Sequence, residues 1–208
     1  MKILHIIIGL NVGGAEIMLK RLVESGLDNK KLVHEVISLT QLGKIGIQLE
    51  SAGISVTSLN ISSLISIPLA FIKLVKIIKK KKPSVVQTWM YHADLLGGVA
   101  SFFAGNRNIV WNIRGSSIPQ QGLSLTGVLI KLCAILSYKL PKKIICCAEA
   151  ARSAHVTKGY AQSKMVVINN GYDLDDYHVG KGRETERLNL GIFDDEIVVG
   201  TVGRFDAL

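Results

Sequence analysis

The chain has 208 residues, of which 48% are hydrophobic and only 20% are charged, a composition that excludes a disordered protein and allows a sizeable core. Its formal charge of +9 is concentrated between Ser51 and Ala148, a segment with twelve Lys or Arg residues and a single acid, Asp94. Aromatic residues make up 6% and do not interleave with the basic ones, which argues against a nucleic-acid partner and favours an anionic membrane or a phosphorylated substrate.

Short apolar strands alternate with helix-length segments along the whole chain. The strands are predicted at 2–8, 34–39, 54–59, 84–89, 108–113, 143–148, 164–168 and 197–202. The helices are predicted at 14–26, 43–52, 66–82, 94–104, 124–138 and 149–159. Most strands are continuously apolar, as expected where helices cover both faces of a sheet. The pattern predicts an α/β fold built on a doubly wound parallel sheet with right-handed crossovers.

The first strand runs directly into a loop that carries Gly9, Gly13 and Gly14. Backbone N–H groups at the start of the following helix can hold an anion such as a diphosphate. The glycines do not form the G-x-G-x-x-G spacing, and the second strand lacks the acid that binds a ribose, so a nicotinamide enzyme is disfavoured. The alternative for Gly13 and Gly14 is that they only permit close packing or a positive φ.

Two helical segments are unusually basic or apolar. Segment 66–82 has one apolar stripe, with lysines at its other positions and at its end. This pattern is typical of a sheet-covering helix with a solvated basic side, or of a patch for anionic lipid. Segment 123–140 is nearly long enough to span a bilayer, but Lys131 lies at its centre. We therefore expect a buried or interfacial helix there rather than a membrane span.

Polar side chains follow the fourth and fifth strands, at the sheet edge where ligands of open α/β sheets bind. His92 comes just after the fourth strand and Arg114 ends the fifth. The always-charged, forked Arg114 suits a phosphate or a carboxylate of an acceptor, although a surface arginine is an equal alternative. Asp94 is predicted to cap the helix that begins at Leu95. No metal-ligand spacing is present, and three cysteines without a CxxC pair indicate a reduced, cytoplasmic compartment.

Four motifs occur in the order found in one family of enzymes: Gly13-Gly-Ala-Glu16, Gln87-Thr-Trp-Met-Tyr-His92-Ala-Asp94, Asn169-Asn-Gly-Tyr-Asp173 and Val202-Gly-Arg204. The chain resembles the retaining glycosyltransferases of family four, which have two Rossmann-like domains in the GT-B architecture. The resemblance implies an acceptor-side domain at 1–171, an interdomain connection at 172–195 and the first strand of a nucleotide-binding domain at 196–208.

The resemblance also implies roles for single residues. Gly13 and Gly14 would approach the donor diphosphate, His92 would contact the transferred sugar near its reacting carbon, and Arg204 would neutralise the leaving diphosphate. Arg114 and Glu16 are the candidate acceptor-binding residues, with complementing the helix dipole as the alternative for Glu16.

The implied reaction moves a sugar from a nucleotide-sugar donor to a glycan or lipid-linked acceptor, with retention and with no metal or other cofactor. We expect negligible transfer by these 208 residues alone, because most of the family's nucleotide-binding wall lies after Leu208. A peripheral contact with the anionic inner face of the plasma membrane fits the basic middle of the chain. Two alternatives remain: a noncatalytic binding module and a sugar-nucleotide epimerase of the same architecture.

Overall fold

The computed structural model describes residues 1–27, 29, 31–116, 125–172, 182–193 and 195–201. The chain divides into two units, Met1–Asn170 and Gly171–Leu208. The first unit is built on a parallel sheet of strands β1 (Lys2–Ile7), β2 (Val33–Ser38), β3 (Ser55–Ser58), β4 (Val85–Trp89), β5 (Ile109–Ile113), β6 (Lys143–Cys146) and β7 (Met165–Val167). The strand order is β3-β2-β1-β4-β5-β6-β7, which confirms the predicted doubly wound sheet.

Helices cover the two faces of this sheet. The α-helices of the first unit are α1 (Gly14–Glu24), α2 (Gly43–Ser51), α3 (Ile67–Lys81), α4 (Met90–Phe103), α5 (Leu125–Ser137) and α6 (Glu149–Val156). Short 3₁₀ turns occupy Leu64–Ser66 and Gln162–Lys164. Within the described ranges, no helix combines the length and the apolar character needed to cross a bilayer.

The core follows from the alternation of side chains along the strands. Ile7 and Trp89 pack with residues of α1 and α2 on one face. Leu4 and Ile6 point to the other face and pack with residues of α3 and α4. Because both faces are covered, β1 has to be apolar at consecutive positions, which is the pattern read from the sequence.

Two adjacent glycines bring α4 close to the centre of the sheet. A Cβ on Gly97 would lie 3.1 Å from the Ile6 Cδ1 atom, and a Cβ on Gly98 would lie 3.0 Å from the Trp111 Nε1 atom. Both positions are buried, so larger side chains would lift the helix off the strands. These glycines therefore allow the short distance between α4 and the sheet.

The start of α4 corrects one prediction. The helix begins at Met90 and not near residue 94, so Asp94 does not cap it. Asp94 lies inside the helix, fully buried, and its Oδ1 accepts a hydrogen bond from the Thr88 hydroxyl at 2.5 Å. The physical reason is the left-handed backbone of Met90, φ +67°, which turns the chain from strand to helix without an intervening loop.

The second unit also differs from the sequence prediction. Segment 172–195 contains a helix, α7 (Arg183–Leu190), ended by Gly191 in the left-handed conformation. The predicted strand at 197–202 is not formed over its described residues, 197–201, where Ile197 and Val199 are each 92% exposed. A strand needs a hydrogen-bonded neighbour, and an apolar sequence cannot supply one by itself.

Candidate functional site

The sheet has a switch point between β1 and β4. These strands pair directly, with Ile7 opposite Trp89, and the connections that follow them lead to opposite faces of the sheet. Ligands of open α/β sheets bind at such a point, beyond the carboxyl ends of the strands. The loop with Gly13 and Gly14 follows β1, and His92 follows β4, so the structure brings both predicted motifs to this edge.

The N-terminus of α1 offers free backbone donors. Gly13 precedes the helix in an extended conformation without a side-chain cap, and the first helical hydrogen bond runs from the Ile17 N–H to the Gly13 carbonyl at 3.0 Å. The N–H groups of Gly14 to Glu16 therefore lack acceptors within the helix. Gly14 is exposed, and a Cβ there would meet nothing within 4 Å. This arrangement is suited to an anion, which the helix dipole also favours.

Glu16 folds back on the glycine pair. Its carboxylate lies so close to the Gly13 Cα that a Cβ at that position would overlap it. The negative charge in the first turn of α1 complements the helix dipole. The structure thus gives Gly13 and Glu16 a local contact, which supports the dipole interpretation of Glu16.

His92 lies in the first turn of α4, two residues after a strained backbone position at Met90. A left-handed conformation costs a bulky residue such as Met90 roughly 1–2 kcal/mol, and such strain is found disproportionately at functional sites. The strained turn points the beginning of α4 at the switch point. His92 is exposed there, whereas its helix neighbours Tyr91 and Ala93 are buried.

Tyr91 anchors this turn to α6. The His155 Nδ1 atom lies 2.7 Å from the Ala151 carbonyl and donates to it, so the His155 Nε2 atom accepts from the Tyr91 hydroxyl at 2.8 Å. Burial raises the pKa of Tyr91 to about 12, with a smaller contribution from Asp94, and burial lowers the pKa of His155. Both groups are therefore neutral at neutral pH, and their hydrogen bond holds the backbone next to His92.

The imidazole of His92 lines a cavity of about 450 Å³ whose other walls include Ile8, Leu39 and Leu96. Although the residue as a whole is exposed, partial burial of the ring against these walls lowers the pKa of His92 below its ordinary value of 6.5. The ring is consequently neutral at neutral pH. It can exchange hydrogen bonds with a hydroxyl group, whereas it carries no charge to offer a phosphate.

Arg114 lies at the same edge, just after β5. Its guanidinium carbon is 5.0 Å from the centroid of the Trp89 ring, and its Nη1 donates to the Asn170 Oδ1 atom at 2.8 Å. The Nε atom is buried and has no hydrogen-bond partner among the described residues. Burial lowers the pKa of Arg114, but the group stays charged. Trp89 packs with Leu10, so Arg114 lies toward the glycine loop.

The candidate residues thus share one edge while making different contacts. Gly13 lies against the Glu16 carboxylate, and the Arg114 guanidinium lies over the Trp89 ring. His92 lines the mostly apolar cavity. Arg204 lies outside the described residues. Over those residues, no group of three or more His, Cys, Asp or Glu side chains is placed to hold a metal ion.

Sequence reasoning missed Gly43, the first residue of α2, which shapes the glycine loop after β1. Gly43 has φ +63°, and a Cβ there would overlap the backbone carbonyl of Leu10 and lie 2.6 Å from the Asn11 nitrogen. The Ile45 N–H donates to the same Leu10 carbonyl at 2.8 Å. The available signal was a glycine between a strand and a helix, the same signal that singled out Gly13 and Gly14.

Comparison with known proteins identifies a family. The family model for Glycosyltransferase Family 4 matches residues 12–176, a range that contains the glycine pair, His92 and Arg114. The search of curated proteins gives no match.

Several solved structures share the fold. HepE from Anabaena in complex with UDP-glucose is 21% identical over 92% of this chain and 50% of that one, with a TM-score of 0.72. A glycosyltransferase from Rickettsia africae is 14% identical over 93% and 50%, with a TM-score of 0.66. UDP-N-acetylglucosamine 2-epimerase from Rickettsia bellii is 16% identical over 82% and 45%, with a TM-score of 0.56.

The chain spans about half the length of each of these structures. Their similarity confirms the predicted Rossmann-like half of the GT-B fold. The family match covers well over half of the residues. The chain belongs to Glycosyltransferase Family 4.

Proposed function

We propose that this chain is the acceptor-side half of an enzyme that transfers a sugar from a nucleotide-sugar donor to a glycan or lipid-linked acceptor, with retention at the anomeric carbon. The observation that carries the proposal is the switch point, where the uncapped N-terminus of α1 and the exposed His92 of α4 face the same edge. An anionic diphosphate and a neutral sugar need these two kinds of partner. UDP-glucose, which HepE holds, is the first donor to test.

In this proposal the reaction is driven by charge stabilisation. The bond between the anomeric carbon and the diphosphate oxygen breaks, a bond to the acceptor hydroxyl oxygen forms on the same face, and the acceptor proton passes to the departing diphosphate. Backbone N–H groups of Gly14 to Glu16 stabilise the charge that develops on the diphosphate, with Arg204 as a further cationic partner. The carboxylate of Glu16 turns away when the diphosphate binds. No metal or other cofactor takes part in this scheme.

The other two site residues orient the substrates. The neutral imidazole of His92 exchanges a hydrogen bond with a sugar hydroxyl, because a charged ring would be poorly solvated beside Ile8 and Leu96. Arg114 offers its charged guanidinium, held beside Trp89, to a phosphate or carboxylate of the acceptor.

We further propose that the enzyme binds its acceptor at the cytoplasmic side of an anionic membrane. Helices α3, α4 and α5 lie side by side and form what we call the α3–α5 surface. Its exposed apolar side chains include Leu69, Phe103 and Ile135, and Lys76 on α3 and Lys131 on α5 are also exposed. The one acid in these helices, Asp94, is fully buried, so the surface is basic as well as apolar.

The reaction is tested by incubating the full-length gene product with a panel of labelled nucleotide sugars and membrane extract. We expect label from one donor in an acceptor, and an unchanged anomeric configuration in the product. The similarity to the Rickettsia bellii epimerase makes epimerisation the second candidate, for which an altered sugar nucleotide would form without any acceptor. If neither product forms, the remaining interpretation is a noncatalytic binding module.

Replacing His92 by Ala tests the site within that assay. Loss of one positioned hydrogen bond to the reacting sugar is expected to lower kcat by roughly a hundred- to a thousandfold. His92→Asn, which keeps a donor and an acceptor, should retain more activity than His92→Ala. Because His92 is exposed, both variants should unfold at the wild-type urea concentration. Wild-type kcat in His92→Ala would contradict the assignment.

A further inference from the structure

The cavity beside His92 adjoins a second, apolar cavity. This second cavity of about 440 Å³ lies between α3 and α4, and Ile67, Leu95 and Leu96 line both cavities. From His92 to Val99 the two cavities follow two turns of α4, about 10 Å at the helical rise. We call these two adjoining cavities together the α3–α4 groove.

The groove is polar at one end only. Ser62, Ser63 and His92 line the part next to the strand edge. The second cavity is lined by apolar side chains, among them Phe71 and Val99. A ligand that matches this distribution has a hydroxylated head at the edge and an apolar chain along the helices.

The far end of the groove opens on the basic α3–α5 surface. Ile72 lines the second cavity and is 51% exposed, and Leu69 beside it is 74% exposed. Lys73 and Lys76 follow on the same helix and are exposed. Since this helix carries no acid, an anionic lipid headgroup or bilayer surface is the complementary partner at this end.

We propose that the α3–α4 groove holds the aliphatic chain of a lipid-linked acceptor, with the acceptor's sugar hydroxyls presented at His92. The proposal rests on the transfer reaction described above and narrows its acceptor to a glycolipid. The chain enters from the membrane at Ile72, runs between α3 and α4 past Leu95 and Leu96, and stops at the polar end of the groove. Its burial supplies affinity that a free sugar acceptor lacks, about a fourfold gain for each methylene fully buried.

Binding of soluble alkyl glucosides tests the proposal without a bilayer and without transfer. Octyl β-D-glucoside, kept below its micelle concentration, and methyl β-D-glucoside are titrated into the protein by calorimetry. We expect the octyl compound to bind at least tenfold more tightly. Equal affinities would overturn the proposal, whatever the outcome of the transfer assay. Tight octyl binding without sugar transfer to any acceptor would instead remove the proposed function and leave the groove as a lipid-binding site.

Two exposed substitutions locate the binding. Ile72→Asp places a charge at the mouth of the groove, and Leu22→Asp is the matched control on α1, where Leu22 is 41% exposed. Ile72→Asp should weaken octyl glucoside binding at least fivefold, and Leu22→Asp should leave it unchanged. Because both side chains are exposed, urea unfolding should show intact folds. Equal effects of the two substitutions would overturn the proposal.

Other occupants give distinct results. Cosedimentation with phosphatidylglycerol vesicles, compared with phosphatidylcholine vesicles, measures contact of the α3–α5 surface with an anionic bilayer. If Ile72→Asp weakens vesicle binding but not octyl glucoside binding, the apolar groove only docks on the membrane and the proposal fails. If sedimentation shows a dimer that Ile72→Asp dissociates, a second copy fills the groove and the proposal also fails.

Discussion

Replacing Gly43 by Ala is expected to destabilise the protein by roughly 3 kcal/mol or more. The added Cβ meets the backbone of Leu10 and Asn11, and backbone cannot move aside as a flexible side chain can. The φ of +63° adds the cost of a left-handed conformation for a residue with a Cβ. Relief requires the loop between β1 and α1 to shift, and that loop is the one that presents Gly13 and Gly14.

Gly53 provides a matched control for this substitution. It also has a positive φ, +83°, but a Cβ there would meet nothing within 4 Å. Gly53→Ala should therefore cost about 1 kcal/mol, the conformational part alone. Urea unfolding of both variants measures the difference. Equal losses of unfolding free energy would show that the glycine loop yields without cost, contrary to this account.

The second large predicted effect is a loss of folding stability at acidic pH, caused by a pair of buried histidines. His5 on β1 is fully buried, and its Nε2 lies 2.9 Å from the Nδ1 of His34 on β2, with the two ring planes within 12° of each other and the ring centroids 5.2 Å apart. The Trp89 indole N–H points at the His5 Nδ1 atom at 3.4 Å. Because the His5 Nδ1 faces a donor, His5 carries its hydrogen on Nε2 and donates to His34. A proton added to the His5 Nδ1 atom would oppose the Trp89 N–H.

Burial lowers the pKa of His5 to about 3, with a smaller contribution from His34, and burial also lowers the pKa of His34. In the unfolded chain both imidazoles have their ordinary pKa of 6.5. The unfolded state therefore takes up protons first as the pH falls. The stabilisation that these neutral, buried histidines give is complete above pH 6.5 and is lost as the pH drops from 6.5 toward 3.

Urea unfolding as a function of pH measures this loss. Each proton bound only by the unfolded state gives a slope of about 1.4 kcal/mol per pH unit, so the free energy of unfolding should fall by a few kcal/mol over the window. The variant His5→Gln keeps an acceptor for Trp89 but does not titrate. The slope of its unfolding free energy against pH should therefore be shallower, by up to the contribution of one proton. Carboxylates contribute equally to both proteins, so identical slopes would refute the assignment to His5.

Much of the fold could be predicted from the sequence because apolar strands covered on both faces have a recognisable pattern. The alternation of strands and helices predicted the doubly wound sheet, and the helix predicted at 66–82 is α3 (Ile67–Lys81). The start of α4 could not be predicted in this way. Its turn depends on a left-handed Met90, a conformation that no local propensity of methionine favours.

The candidate site was predictable in its location and less so in its contacts. The motifs placed Gly13, His92 and Arg114 after three strands, and strand order then brings them to one edge. The partners of these residues come from distant segments. Arg114 stacks on Trp89 and bonds to Asn170, and the turn before His92 is anchored by His155. Such pairings depend on tertiary packing, to which a single sequence gives no direct access.

In the proposed reaction, the diphosphate of a nucleotide sugar binds the uncapped N-terminus of α1. Amide hydrogen exchange in the full-length gene product, with and without the best donor of the panel, tests this directly. We expect slower exchange at Gly14, Ala15 and Glu16, and unchanged exchange at the N-terminus of α6, which also lacks a side-chain cap. Donor binding that leaves the exchange of these three amides unaltered would contradict it.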